Sequence, residues 1–160
     1  MPASSWPDLA LIRHGIAEPR DQGLDRPDRA LTRRGRSRTL AVMQALVRRG
    51  LVLDRLIASP YRRAVETGQL ALQAGVAPQL DFDDRLSPGG APAQLLRSLQ
   101  GTVGFVGHEP DLGDLACELL GLAPGGISLR KAGLVLLRRV EQRWQLEALL
   151  RPGLLLERSD

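Results

Sequence analysis

The stretch Leu9-Ala-Leu-Ile-Arg-His-Gly15 joins four apolar residues directly to an arginine, a histidine and a glycine. A short apolar run that ends in this way is typical of a buried β-strand followed by a loop. Two more apolar runs end alike, one at Ser59 and the other at Gly107 and His108. Segments with the apolar spacing of helices separate these runs, which predicts an α/β layer fold.

Capping residues predict where the helices begin. Thr32 has the side chain of an N-cap, which predicts a helix to about residue 49. Ser59 and Pro60 combine an N-cap with a proline at the first helical position, which predicts a helix to residue 74. Pro110 opens another helix, whose apolar residues recur every three to four positions. The other predicted elements are strands over 9–12, 53–58, 79–82 and 102–106, a short helix over 93–99, and a hairpin of strands over 134–140 and 144–150.

Length and composition limit the class of protein. A chain of 160 residues with 43% hydrophobic residues predicts one globular domain, placed at 8–150, followed by an aperiodic tail over 151–160. No apolar run reaches the roughly 18–20 residues of a membrane helix, and the N-terminus lacks the pattern of a secretory signal. The single cysteine, Cys117, excludes an internal disulfide and fits a reducing cytosol. We therefore expect a cytoplasmic protein with no membrane partner.

The basic residues are almost all arginines: the net charge is +4, and Lys131 is the only lysine. The planar guanidinium of arginine binds phosphate or carboxylate through two hydrogen bonds at once. Aromatic residues make up only 3% of the chain, which argues against a surface that binds single-stranded nucleic acid by stacking. The composition fits phosphate or carboxylate ligands, and we expect no nucleic-acid partner.

Both histidines follow predicted strands, His14 after the first strand and His108 after the strand over 102–106. Ligands of open α/β sheets bind beyond the carboxyl ends of the strands, so we expect both histidines to meet Arg13 and Arg63 in one crevice. Arginines bind phosphoryl oxygens, a neutral imidazole can attack phosphorus, and a second imidazole can donate a hydrogen bond to the transferring group. These residues therefore predict phosphoryl chemistry.

Other interpretations stay open. The two imidazoles with Glu109 and Asp111 could bind a metal, although the chain has no His-x-x-x-His pair. The arginines from Arg26 to Arg38 could bind nucleic acid, or could be a solvated helix start with one or two functional members. Cys117 lies on a periodic apolar helix face, so we expect it in the core.

The stretch Leu11-Ile-Arg-His-Gly15 resembles the signature of the histidine phosphatase superfamily, whose fold is phosphoglycerate-mutase-like. Four later elements resemble those of its small bacterial branch, the SixA-type phosphohistidine phosphatases, and occur in the family's order. They are Arg29-Ala-Leu-Thr-Arg-Arg-Gly35, Ala58-Ser-Pro-Tyr-Arg-Arg-Ala-Val-Glu-Thr67, Leu86-Ser-Pro-Gly-Gly90 and Val106-Gly-His-Glu-Pro110. The resemblance implies a three-layer α/β/α sandwich with a central, mostly parallel sheet.

The resemblance also implies roles for the matching residues. His14 would be the nucleophile that becomes phosphorylated, and the Gly15 carbonyl would orient its imidazole so that the other ring nitrogen attacks. No metal and no organic cofactor are implied. The catalytic and phosphate-binding residues would be Arg13, Arg63 and His108, with Arg29 as a further phosphate-binding arginine.

The general acid has no clear equivalent in this chain. Larger members of the superfamily use a carboxylate in a loop before the third helix, where the nearest residues here are Asp83 and Asp84. We consider Asp84 and Glu18 as general acids. A phosphoramidate tolerates a missing acid because its imidazole leaving group can be protonated beforehand, whereas an alkyl phosphate would react poorly without one.

We therefore expect a phosphatase that hydrolyses phosphohistidine on proteins through a phosphorylated His14. One alternative is a phosphatase of the same superfamily for a small phosphomonoester, such as a sugar or nucleotide phosphate. Another is a module that binds phosphorylated partners without turnover, although His14 and His108 together argue against a simple clamp. A third is a nucleic-acid-binding domain driven by positive charge.

Overall fold

The computed structural model of the chain describes residues 7–156, in which strands alternate with helices. The strands are β1 (Leu9–Arg13), β2 (Arg55–Ala58), β3 (Leu80–Phe82), β4 (Val103–Gly107), β5 (Leu134–Val140) and β6 (Arg143–Leu150). The α-helices are α1 (Arg33–Arg48), α2 (Arg62–Ala74), α3 (Asp111–Leu120) and α4 (Pro152–Leu155). Short 3₁₀ helices cover Asp84–Leu86 and Pro92–Ser98.

A single sheet runs through the centre in the order β3-β2-β4-β1-β5-β6. The neighbours from β3 to β1 are parallel, whereas β5 is antiparallel to β1 and β6 is antiparallel to β5. Alternate residues of β1 bury opposite faces: Ala10 and Ile12 pack with α1 and α2, and Leu9 and Leu11 pack with α3. The predicted three-layer α/β/α sandwich with a mostly parallel sheet is confirmed.

The start of α1 agrees with the sequence, and the start of α2 does not. The Thr32 hydroxyl caps α1 by accepting a hydrogen bond from the Gly35 amide at 2.8 Å. The prediction that Ser59 caps α2 is wrong, because this helix begins at Arg62 after Tyr61. The Ser59 amide continues the sheet by donating to the Val106 carbonyl, and its hydroxyl accepts from the Tyr61 amide two residues later. Ser59 therefore directly follows β2 and extends its hydrogen bonding to β4 by one residue.

The C-terminal segment is more ordered than its lack of periodicity suggested. Residues 152–155 form α4, and Leu155 is buried in the core cluster that α1 and α2 share. The N-terminal residues for which no secretory signal was expected, 1–6, and the end of the predicted tail, 157–160, lie outside the described residues. Within 7–156, no helix has both the length and the apolar character needed to cross a membrane.

The segment that follows β1 is packed tightly against α1. A Cβ atom on Gly15 would clash with the Thr39 hydroxyl, and one on Gly35 would clash with the Ile16 carbonyl oxygen. A β-bridge between Ala17 and Leu31 then closes the polar loop over residues 18–30. These contacts hold the backbone on both sides of the first strand end, where the predicted site residues begin.

Candidate active site

A cavity of about 310 Å³ lies at the carboxyl ends of β1 and β4 and contains both histidines. The two rings meet because these strands are neighbours: Arg13 pairs with Gly107, and the His14 amide donates to the Gly107 carbonyl at 3.0 Å. The cationic residues of the lining are Arg13, Arg20, Arg29, Arg63 and Lys131, and its carboxylates are Glu18, Asp25 and Glu109. The structure thus brings His14, His108, Arg13, Arg29, Arg63 and Glu18 to one place.

The imidazole of His14 is held in one tautomer. Its Nδ1 lies 2.7 Å from the Gly15 carbonyl oxygen, which can only accept a hydrogen bond, so Nδ1 carries the proton. Its Nε2 accepts a hydrogen bond from Nε of the buried Arg63 at 3.2 Å. Burial, with smaller contributions from the charges of His108, Arg63 and Arg13, lowers the pKa of His14 to about 3 against the opposing effect of the Gly15 hydrogen bond. At neutral pH the ring is therefore uncharged, with the Nε2 lone pair towards the cations.

His108 lies beside His14, with the ring centroids 5.2 Å apart. Its Nε2 is 2.8 Å from the hydroxyl of Ser59, while its buried Nδ1 has no partner among residues 7–156. When the Ser59 hydroxyl donates to Nε2, the ring proton is on Nδ1, where it has no acceptor among residues 7–156. Burial and the charge of Arg63 lower the pKa of His108 to about 3, so this ring is also neutral.

Asp25 links the two arginines predicted to bind phosphate. Its Oδ2 accepts from Arg63 at 2.8 Å, and its Oδ1 accepts from Arg29 at 2.7 Å. Burial raises the pKa of Asp25, but the hydrogen bonds from both guanidiniums outweigh this effect and keep the pKa below its ordinary value. Asp25 therefore partly neutralises both arginines, and the Nε group of Arg63, which donates to His14, is not engaged by this carboxylate.

Arg13 has a different environment. One of its terminal nitrogens donates to the Leu129 carbonyl at 2.9 Å, while its buried Nε has no partner within 7–156. Both carboxylate oxygens of Glu109 accept backbone N–H groups, one from Gly113 and one from Leu129. Glu109 thus anchors the backbone beside Arg13, which leaves it poorly suited to donate a proton.

The two general-acid candidates lie in different places. Glu18 lines the cavity, and its carboxylate has no hydrogen-bond partner in the described part of the chain. Asp84 is exposed at the start of the 3₁₀ helix over 84–86 and is not part of the lining. The neighbouring Asp83 forms an ion pair with Arg85 at 2.7 Å, and hydrogen bonds from Arg85 lower the pKa of Asp83 to about 2.

The alternative of a metal site gains no geometric support. Asp111, one of the four proposed metal ligands, accepts a hydrogen bond from the Gly89 amide at 2.8 Å. Glu109, another of the four, already accepts hydrogen bonds from two backbone amides. No three His, Cys, Asp or Glu side chains within 7–156 come together in a way that could hold an ion. Cys117 is buried on the apolar face of α3, as predicted.

We expect neither histidine to titrate between about pH 8 and 5 in the folded protein, because both pKa values lie near 3. The measurement is an NMR spectrum of the imidazole nitrogens as a function of pH, in which the two histidines of the chain give two ring systems. Both rings should show the tautomer with the proton on Nδ1. The chain unfolded in urea is the control, and there both rings should titrate near 6.5. A folded-state ring that protonates near 6.5 would contradict the assignment.

The same pKa difference links stability to pH. Unfolded histidine protonates near pH 6.5 and the folded rings only near pH 3, so the unfolded state binds more protons between these values. The free energy of unfolding therefore falls as the pH falls through this window, by about 1.4 kcal/mol per pH unit for each histidine.

Comparison with known proteins identifies the family. Residues 9–88, half of the chain, match the family model of the histidine phosphatase superfamily (branch 1). The chain belongs to the histidine phosphatase superfamily. An uncharacterized protein of Picosynechococcus sp. (strain ATCC 27264 / PCC 7002 / PR-6) is 33% identical over 147 residues, covering 86% of this chain and 88% of that protein. This histidine phosphatase superfamily member is accordingly a hydrolase of phosphorylated substrates.

Solved structures share its fold. A protein histidine phosphatase SixA complexed with tungstate matches with a TM-score of 0.77 at 21% identity, over 92% of this chain and 99% of that one. A phosphoserine phosphatase mutant from Entamoeba histolytica, in complex with phosphoserine, matches with a TM-score of 0.73 at 20% identity, over 92% and 98% of the two chains. At these identities the likeness concerns the fold, and it leaves the substrate of this histidine phosphatase open.

Sequence reasoning missed three residues that shape the site of this histidine phosphatase. Ser59 contacts His108, and Asp25 joins Arg29 to Arg63. Thr67 accepts from the Gly15 amide at 3.0 Å and donates to the Arg63 carbonyl at 2.7 Å, which ties the first strand end to α2. The position of Ser59 directly after a strand was a usable signal, whereas nothing local to Asp25 or Thr67 indicates their partners.

Proposed function

We propose that this histidine phosphatase hydrolyses phosphohistidine on proteins through a covalent intermediate on His14. The observation that supports the proposal best is the state of His14, a neutral ring whose Nδ1–H donates to the Gly15 carbonyl and whose Nε2 lone pair faces a cationic cavity. A neutral imidazole is the nucleophile that attack on phosphorus requires. The surrounding arginines stabilise the charge on the transferring oxygens.

In the first step, the Nε2 lone pair of His14 attacks phosphorus in line with the bond that breaks. The P–N bond of the substrate phosphohistidine breaks as the P–Nε2 bond forms. The substrate imidazole already carries a proton on its second ring nitrogen, so it leaves as a neutral ring without taking a proton from the enzyme. Arg63 shifts from Nε2 to a phosphoryl oxygen, and the Nδ1 proton of His108 bonds to another.

In the second step, a water molecule attacks the phosphorus of the phosphorylated His14. The P–Nε2 bond breaks and its electron pair returns to Nε2, which restores the neutral ring with its proton still on Nδ1. The PO₃ unit combines with water to give dihydrogen phosphate, so no group on the enzyme gains or loses a proton overall. The Gly15 carbonyl stabilises the positively charged ring of the intermediate through the hydrogen bond to Nδ1.

The carboxylates of the cavity favour phosphohistidine over an alkyl phosphate. Asp25 is bound to two arginines, Glu109 to two backbone amides, and Glu18 lies in the exposed loop. None of them is held in a buried position from which it would protonate an alkoxide leaving group. A phosphoramidate needs no such acid, because its imidazole leaving group is protonated beforehand.

A small phosphomonoester is the second candidate substrate. The cavity of about 310 Å³ is the size of a small-molecule site, and the free carboxylate of Glu18 could serve as its general acid.

We place either activity in the cytoplasm, since Cys117 is a free buried thiol of the kind that a reducing compartment preserves.

The test is a substrate panel of a phosphohistidine peptide, phosphoserine, sugar phosphates and an aryl phosphate. We expect kcat/KM for phosphohistidine to exceed that for the alkyl phosphates by at least about 10²-fold, because a positioned general acid contributes about that much to alkyl ester hydrolysis. Equal or faster turnover of a sugar phosphate would assign the enzyme to the second candidate. Binding of the phosphopeptide without release of phosphate would leave only the non-catalytic module.

A further inference from the structure

A second, larger cavity adjoins the active site, and all the charged residues among 7–156 that line it are cations. Its volume is about 570 Å³, and we call it the basic groove. Its cationic residues are Arg13, Arg34, Arg38, Arg130, Lys131 and Arg151. Arg13 and Lys131 also line the cavity that holds His14, so the two cavities are adjacent.

The groove is assembled from distant parts of the chain. Arg34 and Arg38 lie one helical turn apart near the start of α1, Arg130 and Lys131 precede β5, and Arg151 follows β6. Burial lowers the pKa of Arg13, the negative charge of Glu109 opposes this shift, and the positive charge of Arg130 adds to it, so Arg130 lies close to Arg13. The tertiary structure therefore concentrates positive charge that the sequence disperses over more than a hundred residues.

The groove cations other than Arg13 have no ion pair or side-chain hydrogen bond within residues 7–156. Some other arginines in the same range are paired with acids, as in Arg36–Glu66, Arg85–Asp83 and Arg138–Glu147, and unpaired ones such as Arg97 line neither cavity. A cluster of like charges with no counter-charge raises the local potential and attracts anions. The unpaired groove therefore favours a ligand that carries several negative charges.

The rim of the groove also offers an apolar contact. Leu154 is 81% exposed, and it lines the groove with Ile16 and Pro152. Exposed leucine beside arginine suits a polypeptide, which presents acidic and apolar side chains on one segment, better than an inorganic polyanion. Because Arg13 and Lys131 line both cavities, a segment bound in the groove would lie next to a residue bound in the active site.

We propose that the basic groove binds acidic side chains that flank the phosphohistidine of a protein substrate. The inference rests on the proposed function and adds the class of substrate: an acidic surface around the phosphorylated residue. The phosphoryl group occupies the cavity of His14 while the flanking carboxylates contact Arg34, Arg38 and Arg151. Nucleic acid is the competing ligand for such a surface, and the experiment below includes it.

The test compares two synthetic peptides that carry the same phosphohistidine, one flanked by several Glu residues and the other by Gln. The wild-type protein should dephosphorylate the Glu peptide with a kcat/KM about 10-fold or more above that of the Gln peptide at low salt, and the preference should shrink at high salt. The triple variant Arg34→Gln/Arg38→Gln/Arg151→Gln should lose the preference.

The matched control is Arg97→Gln/Arg139→Gln/Arg143→Gln, which removes three exposed arginines that lie outside both cavities. It loses the same charge and should keep the preference for the Glu peptide. Equal turnover of both peptides by the wild type would refute the binding of acidic side chains in the groove, and it would still agree with the proposed function. Turnover of neither peptide, with turnover of small phosphomonoesters, overturns the proposed function itself. A groove variant that loses binding to an RNA oligonucleotide while keeping the peptide preference also overturns the proposal.

Discussion

Replacing His14 by asparagine should lower kcat on a phosphohistidine peptide by about 10⁴-fold or more, because it removes the attacking nitrogen. Asparagine keeps an N–H group that can donate to the Gly15 carbonyl, so the melting temperature should change little. The direct measurement is a phosphoenzyme trap: brief reaction with ³²P-labelled substrate, followed by a quench in alkali, where phosphohistidine survives. The wild type should carry the label and the His14→Asn variant should not.

The matched control is His108→Asn, the same change on the neighbouring ring. His108 contacts the transferring group but forms no bond to phosphorus in the proposed mechanism, so this variant should still acquire the label, more slowly. Both rings are neutral, and their centroids are only 5.2 Å apart. Because the two histidines share the same surroundings, a difference in labelling between the variants reports on which ring attacks phosphorus. Label on His14→Asn, or activity near that of the wild type, would refute covalent catalysis at His14.

Replacing Arg63 by glutamine should lower kcat/KM by about 10²–10³-fold, the usual cost of removing a donor aimed at a developing charge. The buried guanidinium contacts His14 and Asp25, and its charge helps to keep both imidazoles neutral. The pKa of His14 should therefore rise in this variant, which the NMR titration measures independently of activity.

Two further variants serve as controls. One tests whether the positive charge of Arg63 is enough without its planar guanidinium, and the other tests whether any substitution at this point of α2 lowers activity. Arg63→Lys keeps a positive charge and loses the planar fork, so it should recover only part of the lost activity. Arg62→Gln changes the adjacent residue, whose side chain is 59% exposed and pairs with Glu66, and should change kcat/KM by less than about twofold. Comparable losses in Arg62→Gln and Arg63→Gln would point to damage to α2 rather than a missing phosphate contact.

The elements that the sequence predicted well are those whose signals are local. The apolar run before Arg13, the N-cap at Thr32 and the hairpin near residues 141–142 each depend on neighbours within a few positions, and each appears as expected. The start of α2 is different. Ser59 and Pro60 carry the local signal of a helix start, but the pairing of β2 with β4 holds Ser59 in the sheet.

The candidate site shows the same division. The order of strands places His14 and His108 together, as the topology of open α/β sheets predicted. The contact of Asp25 with two arginines crosses 4 positions in one case and 38 in the other, and only the second depends on the fold. The exposed position of Asp84 depends on the path of the chain after β3, on which residue spacing gives no information.

The sequence by itself determined the layers, the ends of the strands and the kinds of side chain that follow them, because apolar periodicity and capping act between near neighbours. Only the tertiary structure decided which nitrogen of each imidazole is free, which arginines are already neutralised, and where unpaired cations gather into a groove. These properties follow from burial and from charges brought together across the whole chain, and Coulomb interactions depend on distance in space rather than on separation in sequence.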